Sequence, residues 1–181
     1  SVKEVTNDLV GYWALDEAIG GSNQKVTNDS TTGETLGSTE YISSDTDFSL
    51  TGTQSASTTG SYWVTDSNWT IADGKAIYDA GANEKTITGT SATLGSAGLF
   101  KLTFTISDAS SHARIKIKAD SNDIVVSANY SNGDHTIYYN HGGYGSSKTL
   151  KIEGRNDASG SAFKITNISW KEVTSNTGVL L

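Results

Sequence analysis

Apolar and polar residues alternate one by one through the chain after about residue 75, and this pattern constrains the fold more than any other feature. Phe100, Leu102, Phe104 and Ile106 are separated by polar residues, as in a strand with one buried and one wet face. The segment Arg114–Ala119 repeats the pattern. No stretch of comparable length has apolar residues at the period of a helix. The sequence therefore predicts an all-β protein.

Turn residues between strand-like segments predict tight hairpins. Asp73-Gly74 separates two short strand patterns, and Asn132-Gly133 separates Ile124–Tyr130 from His135–Tyr139. Glycine and asparagine adopt the positive φ angles that such turns require. Short strands at even spacing are typical of sandwiches. We therefore predict a jelly-roll-like antiparallel β-sandwich with an extended Ser/Thr/Gly-rich N-terminal arm.

The N-terminal third has a different composition from the rest. From Gly20 to about Gly60 it is rich in Ser, Thr, Gly and Asn, and only a few side chains could anchor it: Val26, Leu36, Tyr41, Ile42, Phe48 and Leu50. So little apolar surface does not offset the entropy lost on ordering. We expect an arm over residues 1–60, a sandwich over 61–175 and the start of a next module or a tail over 176–181. The arm either lies on its own sandwich or is ordered by a neighbouring subunit.

Two seven-residue segments of the chain are similar to each other. Ser1-Val2-Lys3-Glu4-Val5-Thr6-Asn7 matches Ser169-Trp170-Lys171-Glu172-Val173-Thr174-Ser175 at all but the second and last places. Both copies alternate as a strand does. A repeat of this kind indicates about one period of a tandem modular protein, and a chance match of a short strand is the alternative. We expect neighbouring copies or a homo-oligomer.

Composition excludes several kinds of chemistry. The chain has no Cys, so disulfides, thiolate metal sites and cysteine nucleophiles are impossible. Lys and Arg number 13 against 20 Asp and Glu, giving a formal net charge of −7, which argues against a nucleic-acid partner. No apolar run has the length of a membrane span, so we expect no membrane insertion.

Two parts of the sequence resemble known families. Residues 9–33, beginning Leu9-Val10-Gly11-Tyr12-Trp13, resemble the opening of a laminin-G/concanavalin-like domain. Residues 61–174 resemble carbohydrate-binding-module-like jelly rolls through Asn68-Trp69-Thr70-Ile71, Gly74-Lys75-Ala76 and the final strand Phe163-Lys164-Ile165-Thr166-Asn167-Ile168-Ser169. The combination is similar to bacteriophage tail-fibre and virion appendage proteins. The same jelly roll also occurs in secreted polysaccharide-degrading enzymes. The resemblance implies a virion-surface or extracellular location.

The last strand departs from the family pattern at one place. Such modules often carry an Asp there that helps to hold a structural calcium, whereas this chain has Thr166-Asn167. An amide oxygen is a weaker calcium ligand than a carboxylate. We therefore predict no cofactor and place a structural calcium in doubt.

Possible glycan-contacting residues are densest around the predicted Asn132-Gly133 turn. Aromatic rings stack on sugars, and Asn and Asp bond hydroxyl pairs, so a sugar site needs both kinds of residue on one surface. Because strand residues alternate, Tyr138 and Tyr139 must point to opposite faces. The alternative is one core tyrosine beside a turn-rich loop. The candidates are Tyr130, Asn132, Asp134, His135, Tyr138, Tyr139, Asn140, His141 and Tyr144.

The four tryptophans are further candidate platforms. Trp69 and Trp170 lie within strand patterns and are predicted to be in the core. Trp63, near the junction of arm and sandwich, is predicted to be the exposed one and joins the glycan-site candidates. Trp13 suits a contact between modules or subunits.

Other polar clusters give no catalytic pattern. His112, His135 and His141 lack the spacing of a metal site, and Asp73, Asp79 and Glu84 fit turns rather than a glycosidase pair. Arg114, Lys116 and Lys118 put three cations on one strand face, which is either solvated or in contact with an anionic partner. We therefore predict a protein that is not an enzyme.

The sequence thus favours a non-enzymatic structural and adhesive module of a phage tail fibre or virion appendage that contacts surface glycans. One alternative is a carbohydrate-binding module of a secreted polysaccharide-degrading enzyme. Another is a repeat of a bacterial surface adhesin or extracellular filament. Many copies together would compensate for weak single-site affinity.

Overall fold

The computed structural model describes residues 34–42, 45–49, 62–94, 97–141 and 148–175. Within these ranges the chain is all β, and no helix is long and apolar enough to cross a membrane. The described ranges contain eleven strands: β1 (Thr35–Glu40), β2 (Trp63–Thr65), β3 (Trp69–Ala72), β4 (Lys75–Tyr78), β5 (Lys85–Leu94), β6 (Gly98–Ser107), β7 (Ala113–Ala119), β8 (Asn122–Tyr130), β9 (Gly133–His141), β10 (Lys148–Arg155) and β11 (Phe163–Ser175).

These strands form two antiparallel sheets packed face to face. A six-stranded sheet has the order β3-β4-β11-β6-β9, with β1 also paired to β11, and a five-stranded sheet has the order β2-β5-β10-β7-β8. The alternating apolar residues of β6 and β7 are buried between the sheets, while the residues between them lie on the outer faces. The predicted jelly-roll-like antiparallel sandwich is confirmed.

One predicted hairpin is confirmed and the other is wrong. β3 and β4 pair through the two-residue turn Asp73-Gly74, whose φ angles are 53° and 68°. In contrast β8 pairs with β7, and β9 pairs with β6 in the other sheet, so the chain crosses between sheets at residues 131–132. Asn132 stabilises this crossing because its side-chain amide both accepts from Ala109 N and donates to Ala109 O, each at 3.0 Å.

Part of the predicted arm belongs to the sandwich. β1 pairs with β11, and the side chains of Ile42 and Phe48 lie in the core at 1% and 0% exposure. The Phe48 ring lies 4.9 Å from that of Trp63, whose Nε1 donates to the Asp45 carbonyl at 3.1 Å. This part of the arm therefore lies on its own chain. The laminin-G-like segment and Trp13 lie outside the described residues.

Three aromatic rings fill one end of the core. Trp69 lies 5.3 Å from Tyr78 and 5.6 Å from Phe163, measured between ring centroids. The Tyr78 hydroxyl donates to the Ala82 carbonyl at 2.5 Å, and burial raises the pKa of Tyr78 to about 12. Gly154 of β10 lies against the Tyr78 ring, which leaves no room for a Cβ atom at this position. These contacts connect the two sheets.

Two of the predictions for the tryptophans are confirmed and one is wrong. Trp69 and Trp170 are core residues, as predicted, at 1% and 0% exposure. Trp63 is also fully buried, so it is not an exposed platform. The side chain of Phe48 covers it from the segment that the sequence placed in the arm.

Candidate functional site

The outer face of the five-stranded sheet is a network of ion pairs. The three cations of β7 each have a carboxylate partner: Arg114–Asp157 at 2.6 Å, Lys116–Asp123 at 3.1 Å and Lys118–Glu153 at 2.7 Å. Their charges are thus balanced within the chain. This arrangement favours a self-contained polar surface over contact with an anionic partner.

Arg155 connects the parts of this network. Its guanidinium contacts Glu153, Asp157 and Glu84 at 2.5, 2.9 and 3.0 Å, and the hydrogen bonds to Asp157 and then Glu153 raise its pKa. Glu153 is only 5% exposed, yet it is paired with both Arg155 and Lys118. The outward residues of β7 and β10 are cations, one carboxylate and one threonine, so these strands offer no aromatic ring to a ligand.

Acid is expected to weaken this network at Asp157. Hydrogen bonds from Arg155, and then from Arg114, outweigh burial and hold the pKa of Asp157 below its ordinary value of 3.8. A carboxyl group of this kind stabilises the fold above its unfolded pKa, and the contribution is lost as the pH falls through the folded pKa. We expect the melting temperature of the wild type to fall more steeply below about pH 4 than that of Asp157→Asn. Equal slopes in calorimetric melts would contradict this expectation.

The outer face of the six-stranded sheet has a different character. β6 and β9 place partners side by side on it: Lys101 with Tyr138, Thr103 with Thr136, and Thr105 with Asp134. Partners in an antiparallel ladder share a face, and their neighbours Phe100, Leu102 and Phe104 are buried. This face therefore carries an aromatic ring, hydroxyls and a carboxylate in two adjacent rows.

A cleft of about 330 Å³ lies on this face, and we call it the β6–β9 cleft. The Thr105 hydroxyl donates to Asp134 Oδ1 at 2.6 Å, and Asn167 Nδ2 donates to the Thr105 hydroxyl at 3.3 Å. Asp134 retains a second carboxylate oxygen and is exposed. The lining residues are Thr103, Phe104, Thr105, Asp134, His135, Thr136 and Asn167.

Tyr138 lies just beyond this cleft, two residues after Thr136 on the same face of β9. Its hydroxyl donates to Glu34 Oε2 at 2.6 Å, and Lys101 Nζ, which is ion-paired to Glu34, lies 5.9 Å from the centre of its ring. Burial alone would raise the pKa of Glu34, but the hydrogen bonds from Lys101 and Tyr138 lower it overall. The hydrogen bond to Glu34 raises the pKa of Lys101.

The predicted glycan cluster divides between two faces. Asp134 and Tyr138 share the outer face, whereas His135 and Tyr130 pack against buried Phe104, with ring centroids 5.5 and 5.4 Å away. His135 Nε2 also lies 2.8 Å from the Ser131 carbonyl. His135 and Tyr130 therefore support the sandwich edge, and His135 also lines part of the β6–β9 cleft.

The remaining candidates lie elsewhere. Asn132 holds the crossing between the sheets, and Tyr139 packs towards the core, opposite to Tyr138 as predicted. Asn140 is exposed on β9, whereas the His141 side chain and Tyr144 lie outside the part of the chain that the structure describes.

The acidic residues considered as a glycosidase pair have structural contacts. Asp79 Oδ1 accepts from Asn68 Nδ2 at 2.9 Å and from Gly81 N at 2.7 Å. Glu84 contacts Arg155, and Asp73 forms the β3–β4 turn. In the parts of the chain that the structure describes, no group of three or more His, Cys, Asp or Glu side chains could hold a metal ion.

Sequence reasoning missed several residues of this face. Glu34, Lys101, Thr103, Thr136 and Asn167 come from four separate segments. Thr103 and Thr136 have ordinary strand patterns, and Glu34 lies in low-complexity sequence. They come together only through long-range pairing, of β6 with β9 and of β11 with β6 and β1, which no local pattern indicates.

Solved structures provide comparisons for the fold. No protein-family model and no curated protein matches this chain. A solved CBM4 carbohydrate-binding module matches 71% of this chain and 98% of its own, with 12% identity and a TM-score of 0.51. The second N-terminal cellulose-binding domain of β-1,4-glucanase C from Cellulomonas fimi matches 70% and 94%, at 15% identity and a TM-score of 0.47. The C-terminal CBM6 of the laminarinase LamC from Zobellia galactanivorans matches 62% and 90%, at 8% identity and a TM-score of 0.43.

Proposed function

We propose that this chain is a non-catalytic carbohydrate-binding module whose site is the β6–β9 cleft together with Tyr138. The observation that carries the proposal is the placement of Tyr138 on the same face as Asp134 and the hydroxyls of Thr103 and Thr136. A sugar presents apolar ring faces and polar hydroxyls, and these two kinds of group match them. The fold, which this chain shares with the CBM4 module, supports the same class of function.

The proposed ligand is a neutral oligosaccharide. Asp134 and Tyr138 are four residues apart on one strand, which corresponds to about 13 Å, the length of roughly two to three pyranose rings. Two of the lysines on this face, Lys101 and Lys164, are paired with Glu34 and Asp108, so the charges of these two are balanced within the chain. The carboxylate of Asp134 would repel uronate or sulfate groups.

The number of carboxylates in the cleft fits a binding site better than a hydrolytic one. Glycosidases commonly use two carboxyl groups, about 5 to 10 Å apart, on either side of the bond that breaks. Among the described lining residues, Asp134 is the one carboxylate. It is therefore assigned to hydroxyl recognition.

The proposal also covers the kind of larger protein to which the module belongs. The similarity of fold to the CBM4 module supports a carbohydrate-binding module of a secreted, polysaccharide-degrading enzyme better than a phage tail fibre. The module would include β1, so its boundary lies before residue 61. An adhesin repeat fits the two similar seven-residue segments, and homo-oligomer formation stays a prediction.

Replacing Tyr138 tests the proposed site. We expect Tyr138→Ala to lower the affinity for a neutral oligosaccharide by about tenfold, because stacking contributes roughly 1 kcal/mol and ordered hydroxyl contacts depend on it. A glycan array identifies the ligand, and titration calorimetry measures the loss.

Two controls accompany the alanine variant. Tyr138→Phe retains the ring but not the hydroxyl that donates to Glu34, so its loss of affinity should be smaller than that of Tyr138→Ala. Val126→Ala, at a side chain 70% exposed on β8, should have no effect. Unfolding would appear in circular dichroism. A wild-type protein that binds no glycan on the array, or equal affinities of wild type and Tyr138→Ala, would show the proposal to be wrong.

A further inference from the structure

A hydrogen bond on the outer face of the six-stranded sheet joins two segments that the strand order keeps apart. Glu34 immediately precedes β1, whereas Tyr138 is on β9, and β11 and β6 lie between these two strands. Neighbouring strands are about 4.8 Å apart, so β1 and β9 are separated by about 14 Å. Glu34 therefore meets Tyr138 above the sheet, over β6, where Lys101 also reaches it.

Glu34 and Lys101 hold the Tyr138 side chain by its hydroxyl and by its ring. The hydroxyl donates to a carboxylate, which is a stronger acceptor than a neutral group. Lys101 lies against the ring and is paired to the same carboxylate, whose side chain is only 14% exposed. A surface tyrosine without such partners samples several rotamers and loses that freedom on binding a ligand.

We infer that Glu34, the residue immediately before β1, is the positioning residue for the Tyr138 platform. The inference rests on the proposed function and deepens it. Glu34 does not need to touch the sugar. It acts by holding the ring in the orientation that accepts the ligand, which lowers the entropy lost on binding.

The titration of Tyr138 provides a readout that does not depend on glycan. Burial raises the pKa of Tyr138, and the hydrogen bond to Glu34 raises it further, while the charge of Lys101 acts in the opposite direction. Lys171 lies opposite Lys101 on β11 and also faces this region. Removing the carboxylate should therefore lower the pKa of Tyr138, since the cations remain.

The experiment compares Glu34→Ala and Glu34→Gln with the wild type. We expect Glu34→Ala to weaken oligosaccharide binding about three- to tenfold, because the ring loses its partner. Glu34→Gln retains an oxygen that accepts the hydroxyl proton and should bind nearly as well as the wild type. In both variants, ring-labelled tyrosine followed by NMR should show a lower pKa for Tyr138.

Glu84→Gln serves as the matched control, since Glu84 pairs with Arg155 on the opposite sheet. It should change neither the affinity nor the Tyr138 titration. The inference is overturned if Glu34→Ala binds as tightly as the wild type while Tyr138→Ala has lost binding. If Tyr138→Ala also binds like the wild type, the proposed function itself is wrong, and the two failures are thereby distinguished.

Discussion

Trp69→Ala is expected to lower the free energy of unfolding by about 4 kcal/mol, the largest loss among the changes considered for this protein. The indole is 1% exposed and packs against Tyr78 and Phe163. Its Nε1 also donates to the Lys85 carbonyl at 2.8 Å. Truncation would leave a cavity between the sheets and remove the partner of a backbone acceptor. Urea denaturation monitored by circular dichroism measures the effect.

Trp69→Phe separates the two contributions. It retains much of the ring volume but cannot donate to Lys85, so its loss should be clearly smaller than that of the alanine variant. The prediction would fail if the free energy of unfolding of Trp69→Ala were within about 1 kcal/mol of the wild-type value. Such a small loss would require the neighbouring rings to move into the space left by the indole.

Gly154→Ala should cost about 2 to 3 kcal/mol although it adds a single methyl group. A Cβ at this position would lie 2.7 Å from both Cγ and Cδ2 of Tyr78. That ring is fully buried, its hydroxyl is bonded to Ala82, and Trp69 and Phe163 pack around it. Relief therefore requires the backbone of β10 to shift, which strains its pairing with β5 and β7.

Gly37→Ala is the matched control for this glycine. Its added Cβ would lie 3.4 Å from Thr174 Cγ2, which is an ordinary contact, and β1 is at the edge of its sheet. Its stability should remain within about 0.5 kcal/mol of the wild type. If both variants unfolded at the same urea concentration, the clash with Tyr78 would not determine the cost at position 154.

Strand identity could be predicted from the sequence because alternation is a local property. The pattern of β6 and β7 follows from which residues must avoid water, and the structure buries the same residues. Strand pairing could not be predicted in the same way. Asn132-Gly133 has the composition of a hairpin turn, but the chain changes sheets there. The side-chain amide of Asn132 forms hydrogen bonds with the backbone of Ala109, 23 residues earlier.

At the candidate site, too, the local pattern could be predicted and the long-range contacts could not. Alternation correctly places Tyr138 and Tyr139 on opposite faces of β9, so one tyrosine could be assigned to the surface. The partner of Tyr138 is 104 positions away at Glu34, in sequence without a strand pattern. Likewise, Trp63 was predicted to be exposed because nothing near it in the sequence indicates that Phe48 covers it.

The position of β11 has a consequence for synthesis on the ribosome. This strand pairs with β1, β4 and β6 and is thus the central element of the six-stranded sheet, yet the ten other strands of the described residues precede it in the chain. A nascent polypeptide that has emerged only through β10 would leave one edge of β6 and one edge of β4 without a hydrogen-bonding partner. Completion of the six-stranded sheet therefore awaits translation of β11.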